Sequence, residues 1–324
     1  MYKGKKICIV IPAFNAFTTL EEVVIAIPEL IDSIVIIEDK SKDATLEIAE
    51  LLVNTTEKVK ILKDHANLGV GGSVKAGYQK GLDINADIVV KMDSDGQMDP
   101  AYLPQLLAPI ISGNANYTKG NRFLHTTELK QMPFIRRLGN LGLSFMTKAA
   151  TGYWNIFDPT NGYTAIDRYT LSQLDFDKIS DRYFFETSML MELYNQRAVV
   201  KDVPIPARYQ GEKSSLSTFK SFFEFSSKLW KGFFQRINRQ YFTSDFSVVS
   251  LFIFFGLLLF SFGLIWGIWH WVISIQTQVA ATTGTVMLAV VPFIVGFQFL
   301  IQALVLDIGN VPKEVINPDS SPSQ

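Results

Sequence analysis

The sequence predicts an α/β domain with a mostly parallel sheet, followed by an amphipathic helix and two membrane-spanning helices. Short apolar runs alternate with segments of helical periodicity over residues 1–210, a pattern typical of a sheet that helices cover on both faces. An aromatic and basic segment follows, and the stretch between Asp245 and Asp307 then contains no Lys, Arg, Asp or Glu. We therefore expect the α/β domain over 1–212, a juxtamembrane amphipathic region over 213–244, a two-helix transmembrane hairpin over 245–310 and a tail over 311–324.

Four short apolar runs predict the strands of the domain, because they are rich in β-branched and aliphatic residues. These runs are Ile7–Ile11, Ser33–Ile37, Val59–Leu62 and Ala86–Met92. Between and after them, apolar residues recur at helical spacing in Thr18–Ile27, in Ala44–Val53 and in a helix that contains Val74–Lys80. A Thr at the start of the first helix and Asp43 before the second are typical helix caps.

The segment 217–241 predicts a helix with aromatic residues and interleaved positive charges. Phe, Trp, Leu and Ile recur there at helical spacing, with Lys and Arg between them. This pattern is typical of a helix that lies in the membrane interface. Its position just before the charge-free stretch favours that interpretation over the alternative, a helix that packs into the core of the α/β domain.

Two apolar segments within the charge-free stretch predict membrane spans, Phe246–Trp269 and Gly284–Leu306. A hydrocarbon core of about 30 Å takes about 20 residues of helix, and both segments are long enough. The alternative is a pair of buried core helices, but both segments exceed ordinary core-helix length and stay apolar on all faces. The loop His270–Thr283 lacks Lys and Arg, whereas basic residues are numerous before the first span. The positive-inside bias therefore puts both ends of the hairpin in the cytoplasm.

Composition and the start of the chain limit the location and the partners. No signal peptide opens the sequence, so we expect a multi-pass protein of the inner or plasma membrane with its α/β domain in the cytoplasm. The net charge of -1, from 30 basic and 31 acidic residues, argues against a nucleic-acid partner. With three histidines and one cysteine, a zinc site is not expected.

Ligands of parallel α/β sheets bind at the carboxyl ends of the strands, so the residues after each predicted strand are site candidates. The first strand is followed by Pro12–Asn15, which lacks the glycine-rich turn of a dinucleotide-binding domain. After the second strand, Glu38 and Asp39 offer carboxylates that can accept hydrogen bonds from a ribose or a base. After the third, Asn67 and Gly71 lie in a glycine-rich run. Such a run allows either a phosphate to approach the backbone or a tight turn into a helix.

Two carboxylates one residue apart, Asp93 and Asp95, follow the fourth predicted strand. Like charges at the end of a buried strand are costly unless a cation compensates them. Carboxylate oxygens suit Mg²⁺ or Mn²⁺, which commonly bridge to substrate phosphates. An Asp-x-Asp segment is also common on solvated loops, but its place after a strand, like the other candidates, favours a metal site.

These segments occur in the order and spacing of family 2 glycosyltransferases with the GT-A fold. The chain resembles the polyprenyl-phosphate branch of that family, which includes dolichol-phosphate mannose synthase and bacterial bactoprenol glucosyltransferases. Further segments resemble motifs of the branch: Gly120–Phe123, Asp158–Tyr163 and Arg208–Ser214. The resemblance covers residues 5–216 and extends to the two C-terminal spans of the bacterial members.

The resemblance implies a metal-dependent donor site at the strand ends. Substrate contacts are expected from Pro12, Asn15, Glu38, Asp39, Asn67, Gly71, Asp93 and Asn161. The resemblance places the nucleoside against Pro12, Asn15 and Asp39. It places Mg²⁺ or Mn²⁺, and through it the donor diphosphate, at Asp93, Asp95 and Gln97.

The resemblance also implies a set of cations that face phosphate. Arg122 and Arg208 are expected to act with Asp95 in catalysis, because Arg is suited to bidentate contacts with the donor diphosphate or the lipid phosphate. Arg136 and Lys213 are expected to join them as substrate contacts. The alternative for Arg136 and Lys213 is an ordinary membrane-facing charge.

The reaction that the resemblance implies is inverting transfer of a hexose from a nucleotide-sugar to polyprenyl phosphate, for cell-envelope glycosylation. UDP-glucose or UDP-N-acetylglucosamine is favoured over GDP-mannose, because the bacterial branch matches best. A phosphate monoester is largely ionised at neutral pH, so its attacking oxygen needs no protein base. Asp158 and Glu186 are the alternative in which a base is used. The resemblance also implies a small flippase-like membrane partner, and we expect a homo-oligomer.

Three other functions remain open at this point. The first keeps the fold but transfers the sugar to another lipid or to a glycan. The second is a non-enzymatic membrane scaffold, which the intact pair Asp93 and Asp95 argues against. The third is a nucleotidyltransferase, which should carry a glycine-rich segment with a basic residue where this sequence has Pro12–Asn15.

Overall fold

The computed structural model describes residues 1–64, 67–122, 134–206 and 218–317. The strands in this part of the chain are β1 (Ile7–Ala13), β2 (Ser33–Asp39), β3 (Val59–Asp64), β4 (Ile88–Lys91), β5 (Tyr117–Asn121), β6 (Thr164–Asp167) and β7 (Val200–Pro204). The α-helices up to the last strand are α1 (Leu20–Ile25), α2 (Thr45–Thr55), α3 (Gly69–Asp83), α4 (Leu103–Ile111), α5 (Phe134–Thr151), α6 (Arg168–Gln173) and α7 (Phe185–Asn195). The later helices are α8 (Thr218–Asn238), α9 (Val248–Thr277) and α10 (Thr283–Gly309).

The strands form one sheet in the order β3-β2-β1-β4-β6-β5-β7. β6 runs antiparallel to β4 and β5, and the other described strands run parallel to one another. The carboxyl ends of the parallel strands and the start of β6 therefore meet at the same edge. This mostly parallel sheet confirms the predicted fold class, and its edge is where the predicted site residues are expected to gather.

Helices cover both faces of the sheet, as the continuous apolar strands predict. Ile9 and Ile11 of β1 lie in a core cluster with buried residues of α1, α2 and α4. Val10, between them, faces the opposite side. There, a Cβ atom added at Gly77 of α3 would lie 2.2 Å from Val10 Cγ1, so the glycine lets α3 pack directly on the strand.

The predicted strands and helices of the α/β domain are present, with shifts of a few residues at their ends. Asp43 lies two residues before α2, and its carboxylate accepts a hydrogen bond from the Thr45 N–H at 3.1 Å. The N-cap position is Ala44, so the predicted cap lies one residue too early. The glycine-rich run forms the first turn of α3, which begins at Gly69. The predicted loop His270–Thr283 was wrong in extent, because α9 continues to Thr277 and the turn before α10 is short.

Asn116, just before β5, joins the chain that follows α10 to the sheet. Its buried amide accepts hydrogen bonds from the N–H groups of Val199 (3.0 Å) and Ile316 (3.1 Å). The same amide donates to Asp167 Oδ2 (3.0 Å) and to the Ile316 carbonyl (2.9 Å). The side chain therefore pairs with Ile316 as a neighbouring strand would, and the compact unit around the sheet includes Met1–Gly232 and the chain from Pro312.

The second compact unit, Phe233–Val311, contains an antiparallel hairpin of α9 and α10. Small residues let the two backbones approach closely, a feature common in membrane helix pairs. A Cβ atom at Gly263 would lie 2.6 Å from the Ala289 carbonyl oxygen, and one at Gly296 would lie 2.3 Å from the Phe260 nitrogen. The hairpin is therefore held by close backbone packing.

Both helices of the hairpin are long and apolar enough to cross a membrane. Only 22% and 11% of the residues in their most apolar windows are buried. Core helices of a water-soluble protein would be mostly buried, so that alternative does not fit these helices. Their exposed apolar surface indicates a membrane protein, in which lipid covers what water would otherwise meet.

A buried polar cluster lies at the end of the hairpin. Asp307 of α10 is 4% exposed and accepts hydrogen bonds from both terminal nitrogens of Arg236, at 2.7 Å and 2.9 Å. The Tyr241 hydroxyl donates to the same carboxylate at 2.6 Å. A bidentate pair of this kind compensates both buried charges and links the end of α8 to the end of α10.

The predicted helix over residues 217–241 is present as α8, and a π-helical turn, Arg239–Ser244, follows it. Leu229 is buried, as the core-packing interpretation requires. Trp230 and Phe234 are 50% and 62% exposed, as the membrane-interface interpretation requires. The helix therefore combines a packed side with exposed aromatic rings.

Candidate active site

Two cavities open at the sheet edge where the parallel strands end. The first, named here the Asp39 cavity, has a volume of about 610 Å³, and its lining includes Pro12, Asp39, Asn67, Asp93 and Asp95. The second, the Arg122 cavity, has a volume of about 120 Å³, and its lining includes Asp93, Asp95, Gln97, Arg122 and Asn161. Asp93 and Asp95 line both cavities and therefore stand where the two meet.

Asp39, the last residue of β2, organises one wall of the Asp39 cavity. The residue is 4% exposed, and its carboxylate accepts hydrogen bonds from the N–H groups of Leu68 (2.6 Å) and Gly69 (2.9 Å). Asn67, the residue before them, adopts a left-handed conformation with φ of 50°, which Asn tolerates better than most residues. Asp39 thus holds the entry into α3 against the cavity.

Lys91, the last residue of β4, compensates the charge of Asp93. Its ammonium is buried and lies 2.8 Å from Asp93 Oδ1 and 3.3 Å from Glu186 Oε1. Burial alone would lower the pKa of Lys91, but the two carboxylates outweigh it and raise the pKa above its usual range. Gly162 closes over this group, because a Cβ atom there would lie 2.3 Å from Lys91 Nζ and 2.6 Å from Asp93 Oδ2.

The residues present fit a divalent cation that is shared with a substrate. Among the described residues, no group of three or more His, Cys, Asp or Glu is placed to hold a metal. Mg²⁺, however, usually takes one or two protein carboxylates and completes its shell with water and substrate phosphates. Asp93, Asp95 and Gln97 line one small cavity, and the Gln97 N–H orients Asp95 through a hydrogen bond of 3.0 Å to Oδ1.

Arg122 follows β5 and is fixed by a buried carboxylate. Its Nε donates to Asp158 Oδ2 at 2.8 Å and its Nη2 donates to Asp158 Oδ1 at 3.1 Å. Asp158 is fully buried, whereas the Arg122 side chain is 33% exposed and lines the Arg122 cavity. Because both oxygens of Asp158 accept hydrogen bonds from Arg122, this carboxylate is better suited to orienting the guanidinium than to accepting a proton from a substrate.

Asn161, three residues before β6, is held by a second buried cation. Lys119 of β5 donates to the Asn161 carbonyl, and the Asn161 Oδ1 accepts from the Tyr163 N–H at 2.9 Å. Burial lowers the pKa of Lys119 to about 8, although nearby carboxylates oppose that effect. Lys119 thus supports a residue of the Arg122 cavity from within the sheet.

Two predicted substrate contacts, Asn15 and Glu38, line neither cavity. Asn15 Oδ1 accepts from the Lys42 N–H at 2.8 Å, and Glu38 Oε1 accepts from the Ser41 N–H at 2.5 Å. The first hydrogen bond joins the loop after β1 to the loop after β2, and the second closes the turn at the end of β2. Both residues therefore shape the loops that follow these two strands.

Gly71 also lies outside the linings of the two cavities, and its neighbours explain the glycine. A Cβ atom there would lie 2.2 Å from the Ser180 carbonyl oxygen and 2.8 Å from the Asp181 carbonyl carbon. The next residue, Gly72, donates its N–H to the Asp181 carbonyl at 3.1 Å. The glycine-rich turn is therefore occupied by the backbone of another segment, a packing role that its sequence pattern also allows.

Three predicted cations fall outside what the structure describes. Arg208 and Lys213 lie beyond the described ranges. Arg136 lies in α5, but its side chain is not among those described.

Three residues at or beside the two cavities are not predicted from the sequence: Lys91, Arg182 and Tyr183. Lys91 had a usable signal, since a charged residue inside an apolar strand requires a buried partner. Arg182 and Tyr183 line the Asp39 cavity but precede a helix, so a search restricted to strand ends passes over them.

Known proteins are similar to this chain in sequence. The profile of glycosyl transferase family 2 matches residues 8–175, about half of the chain. The UDP-N-acetylglucosamine–dolichyl-phosphate N-acetylglucosaminyltransferase of Methanococcus voltae is 32% identical over 218 residues, which are 63% of this chain and 86% of that protein. The undecaprenyl-phosphate mannosyltransferase of Micrococcus luteus is 28% identical over 205 residues, 62% of this chain and 82% of that protein.

A solved structure shares the fold. Glucosyl-3-phosphoglycerate synthase from Mycobacterium tuberculosis, in complex with Mn²⁺, UDP-glucose and phosphoglyceric acid, superposes with a TM-score of 0.53 at 18% identity. The match covers 72% of this chain and 80% of that one, and it supports the predicted GT-A fold. With its sheet order, its strand-end carboxylates and the matched profile taken together, the chain belongs to glycosyl transferase family 2.

Proposed function

We propose that this protein transfers a hexose from a nucleotide-sugar to polyprenyl phosphate, with UDP-N-acetylglucosamine or UDP-glucose as the donor. The observation that carries the proposal is the position of Asp93 and Asp95 at the junction of two cavities. A donor in one cavity and an acceptor phosphate in the other would meet at these carboxylates. The relatives from Methanococcus voltae and Micrococcus luteus support this acceptor, since each is named for transfer to a polyprenyl phosphate.

The Asp39 cavity suits the donor nucleotide. Its volume of about 610 Å³ falls in the usual range of small-molecule sites, about 300–1,000 Å³. Pro12, Asp39 and Asn67 provide one apolar and two polar surfaces for a nucleoside. The relative from Methanococcus voltae is named for UDP-N-acetylglucosamine, which favours a UDP-sugar, and the mannosyltransferase relative makes GDP-mannose the alternative.

The Arg122 cavity suits the acceptor phosphate. Arg122 presents a guanidinium whose orientation Asp158 maintains, and such a group binds phosphate well. We propose that Arg208 joins Arg122 in catalysis and that Arg136 and Lys213 add phosphate contacts.

The proposed chemistry is a single displacement. An oxygen of the lipid phosphate attacks the anomeric carbon, the bond from that carbon to the diphosphate oxygen breaks, and its electron pair leaves with the nucleoside diphosphate. The configuration at the anomeric carbon therefore inverts. Because the phosphate monoester is already largely ionised, no proton has to be removed before the attack. Glu186 is engaged by Lys91, which agrees with a site that works without a protein base.

Asp93, Asp95 and Gln97 would hold Mg²⁺ or Mn²⁺. When bound, the cation supplies positive charge beside the leaving diphosphate. The chain itself positions the two carboxylates in advance: Lys91 restrains Asp93, and the Gln97 N–H restrains Asp95. Such pre-arranged groups lower the cost of reorganisation during the reaction.

The membrane arrangement is part of the same proposal. We place residues 1–212 in the cytoplasm as the catalytic domain, 213–244 at the membrane surface, 245–310 as two spans and 311–324 again in the cytoplasm. The support is the excess of Lys and Arg before the first span. A flippase-like membrane protein and a second copy of the chain are proposed partners.

The experiment that tests the function is a transfer assay with the full-length protein in detergent. Radiolabelled UDP-N-acetylglucosamine, UDP-glucose and GDP-mannose are each mixed with polyprenyl phosphate and Mg²⁺ or Mn²⁺, and the lipid-linked product is counted. Asp95→Asn should lower kcat by about 100- to 1,000-fold, the usual cost of losing one electrostatic stabiliser. Asp83→Asn, on the surface of α3, is the matched control and should leave turnover unchanged. Near-normal turnover of Asp95→Asn, or no lipid product from any donor, contradicts the proposal.

A further inference from the structure

We propose that Arg182 and Tyr183 bind the nucleoside diphosphate part of the donor, Arg182 through phosphate and Tyr183 through the nucleoside. The inference rests on the proposed function for the identity of the ligand, but it assigns residues that lie far from the sheet edge in the sequence. Both side chains line the Asp39 cavity together with Asp39, Asp93 and Asp95.

The charges of the Asp39 cavity call for a cation. Three carboxylates line it, those of Asp39, Asp93 and Asp95, and Arg182 is the one cationic side chain among its described lining residues. A nucleoside diphosphate is itself an anion. A metal ion at Asp93 and Asp95 would offset part of the negative charge, and a guanidinium is the natural side chain for the remainder.

Arg182 is available for this role. Its backbone carbonyl accepts a hydrogen bond from the Phe185 N–H at 2.8 Å, but its guanidinium has no hydrogen bond or ion pair within the described part of the chain. The residue is exposed and lines the cavity. Its position is nevertheless defined, since a Cβ atom at Gly69 would lie 3.3 Å from Arg182 Cγ. Gly69 in turn donates its N–H to Asp39, so Arg182 stands beside the Asp39 end of the cavity.

The backbone that carries Arg182 and Tyr183 is braced against α3. Asp181 accepts a hydrogen bond from the Gly72 N–H through its carbonyl and forms an ion pair with Lys75 through its side chain. Lys75 also donates to the carbonyls of Phe176 (3.2 Å) and Ile179 (3.1 Å). These contacts fix the segment 176–181 on the first turns of α3, so the next two residues are presented to the cavity from a defined base.

Tyr183 supplies a surface for a planar or apolar group. The residue is 62% exposed, although it borders a cavity and follows a segment that is held against α3. An aromatic face of this kind can stack on a nucleobase without selecting one base by hydrogen bonds. Arg182 and Tyr183 together therefore offer a charge for the diphosphate and a face for the nucleoside.

The test measures nucleotide affinity by calorimetry, with the full-length protein in detergent and with UDP, UMP and uridine as probes in the presence of Mg²⁺. Arg182→Ala should weaken UDP binding by about 10- to 100-fold, the range for one hydrogen-bonded charge contact. Uridine binding should change little, because uridine lacks the phosphates. Arg182→Lys should recover part of the UDP affinity, since it keeps the charge but loses the forked geometry.

Tyr183 is tested with the same probes. Tyr183→Ala should weaken UDP, UMP and uridine alike, and Tyr183→Phe should bind them as the wild type does. Lys178→Ala is the matched control for charge, because Lys178 lies on the same segment, pairs with Asp175 and does not line the cavity. Thermal unfolding of each variant identifies any loss of folding.

The outcomes separate this inference from the proposed function. Unchanged UDP affinity in Arg182→Ala overturns the inference, even if the wild type makes lipid-linked sugar. Weakened UDP affinity in Arg182→Ala supports it, even if the wild type fails to transfer sugar to polyprenyl phosphate. If the wild type binds GDP rather than UDP, the series is repeated with GDP, GMP and guanosine, and the same differences are expected. Binding of neither diphosphate overturns both.

Discussion

At the residue scale, buried cations decide how the acidic groups of the site behave. Lys91 forms ion pairs with Asp93 and Glu186, so one of the two strand-end carboxylates is already compensated by the protein. A bound metal ion therefore does not have to offset the full charge of Asp93 and Asp95. Removing one partner of such a buried pair usually costs more than the pair contributes, because the other charge is left without compensation.

The same reasoning predicts the effect of changing Arg122. Arg122→Ala leaves the buried Asp158 carboxylate without its bidentate partner, so both stability and transfer activity should fall. We expect a loss of about 2–3 kcal/mol in unfolding free energy, below the 3–5 kcal/mol of a fully buried pair because Arg122 is partly exposed. Thermal unfolding in detergent and the transfer assay measure the two effects.

The double variant Arg122→Ala with Asp158→Asn separates the effect on stability from the effect on transfer activity. Neutralising Asp158 removes the uncompensated charge, so stability should partly return while activity stays low. If the double variant regains activity as well, the guanidinium acts on the fold and not on the acceptor phosphate.

At the element scale, the first turn of α3 acts as a platform for the segment before α7. Gly71 is needed there because the Ser180 carbonyl occupies the space of a side chain. Gly71→Ala should therefore displace residues 180–183 and lower the unfolding free energy by about 1–3 kcal/mol, the usual cost of overpacking. It should also weaken UDP binding.

Gly142→Ala is the matched control for Gly71→Ala. Gly142 lies in α5, and a Cβ atom there would meet nothing within 4 Å. Because Ala is the better helix former, this variant should be unchanged or more stable by up to about 1 kcal/mol. Equal unfolding temperatures for Gly71→Ala and the wild type would contradict the packing role of Gly71.

A buried ion pair joins α8 to α10. Asp307→Ala would remove the buried carboxylate that accepts hydrogen bonds from both terminal nitrogens of Arg236 and from the Tyr241 hydroxyl. We expect a loss of about 3–5 kcal/mol, measured as a lower unfolding temperature in detergent.

The exposed pair of Lys228 and Glu224 on α8 provides the comparison for Asp307. Glu224→Ala should change stability little, since exposed pairs contribute little. A double replacement of Arg236 and Asp307 by Leu should be milder than Asp307→Ala alone. If the double replacement lowers the unfolding temperature more than Asp307→Ala does, the ion pair between Arg236 and Asp307 itself contributes net stability.

At the scale of the whole molecule, one carboxylate should make folding stability depend on pH. Burial raises the pKa of Asp202 to about 6 in the folded state, although hydrogen bonds from the Phe157 N–H and the Asn121 amide oppose it. The unfolded chain has the ordinary pKa of 3.8, so the folded state binds the proton more tightly. Stability from this group is therefore fully present below pH 4 and is lost as pH rises through about 6.

The measurement compares the wild type with Asp202→Asn between pH 4 and pH 7. As pH rises, the unfolding free energy of the wild type should fall relative to that of Asp202→Asn, by about 3 kcal/mol at most. Lys119 does not disturb this comparison, because its folded-state pKa of about 8 lies above the pH range of the measurement. Between about pH 8 and its ordinary pKa of 10.5, the unfolded chain binds the Lys119 proton more tightly, so stability from this group rises with pH there. A difference that is independent of pH would show that Asp202 ionises normally.

Several features of the whole molecule follow from the sequence because they depend on local order along the chain. Alternating apolar and helical segments predict the parallel sheet, and the length of the charge-free stretch predicts α9 and α10. The strand-end rule brings Asp39, Asp93 and Asp95 to one edge, since parallel strands end together. None of these predictions depends on which residues, distant in sequence, are in contact.

Other features were decided by tertiary structure, because they depend on contacts between segments far apart in sequence. Lys91 meets Glu186 across 95 positions, and Gly71 meets Ser180 in the turn before α7. Those contacts give the glycine-rich run a packing role and bring Arg182 to the Asp39 cavity. Sequence periodicity specifies which face of an element is buried, but only the folded chain specifies which charge or carbonyl occupies the space beside it.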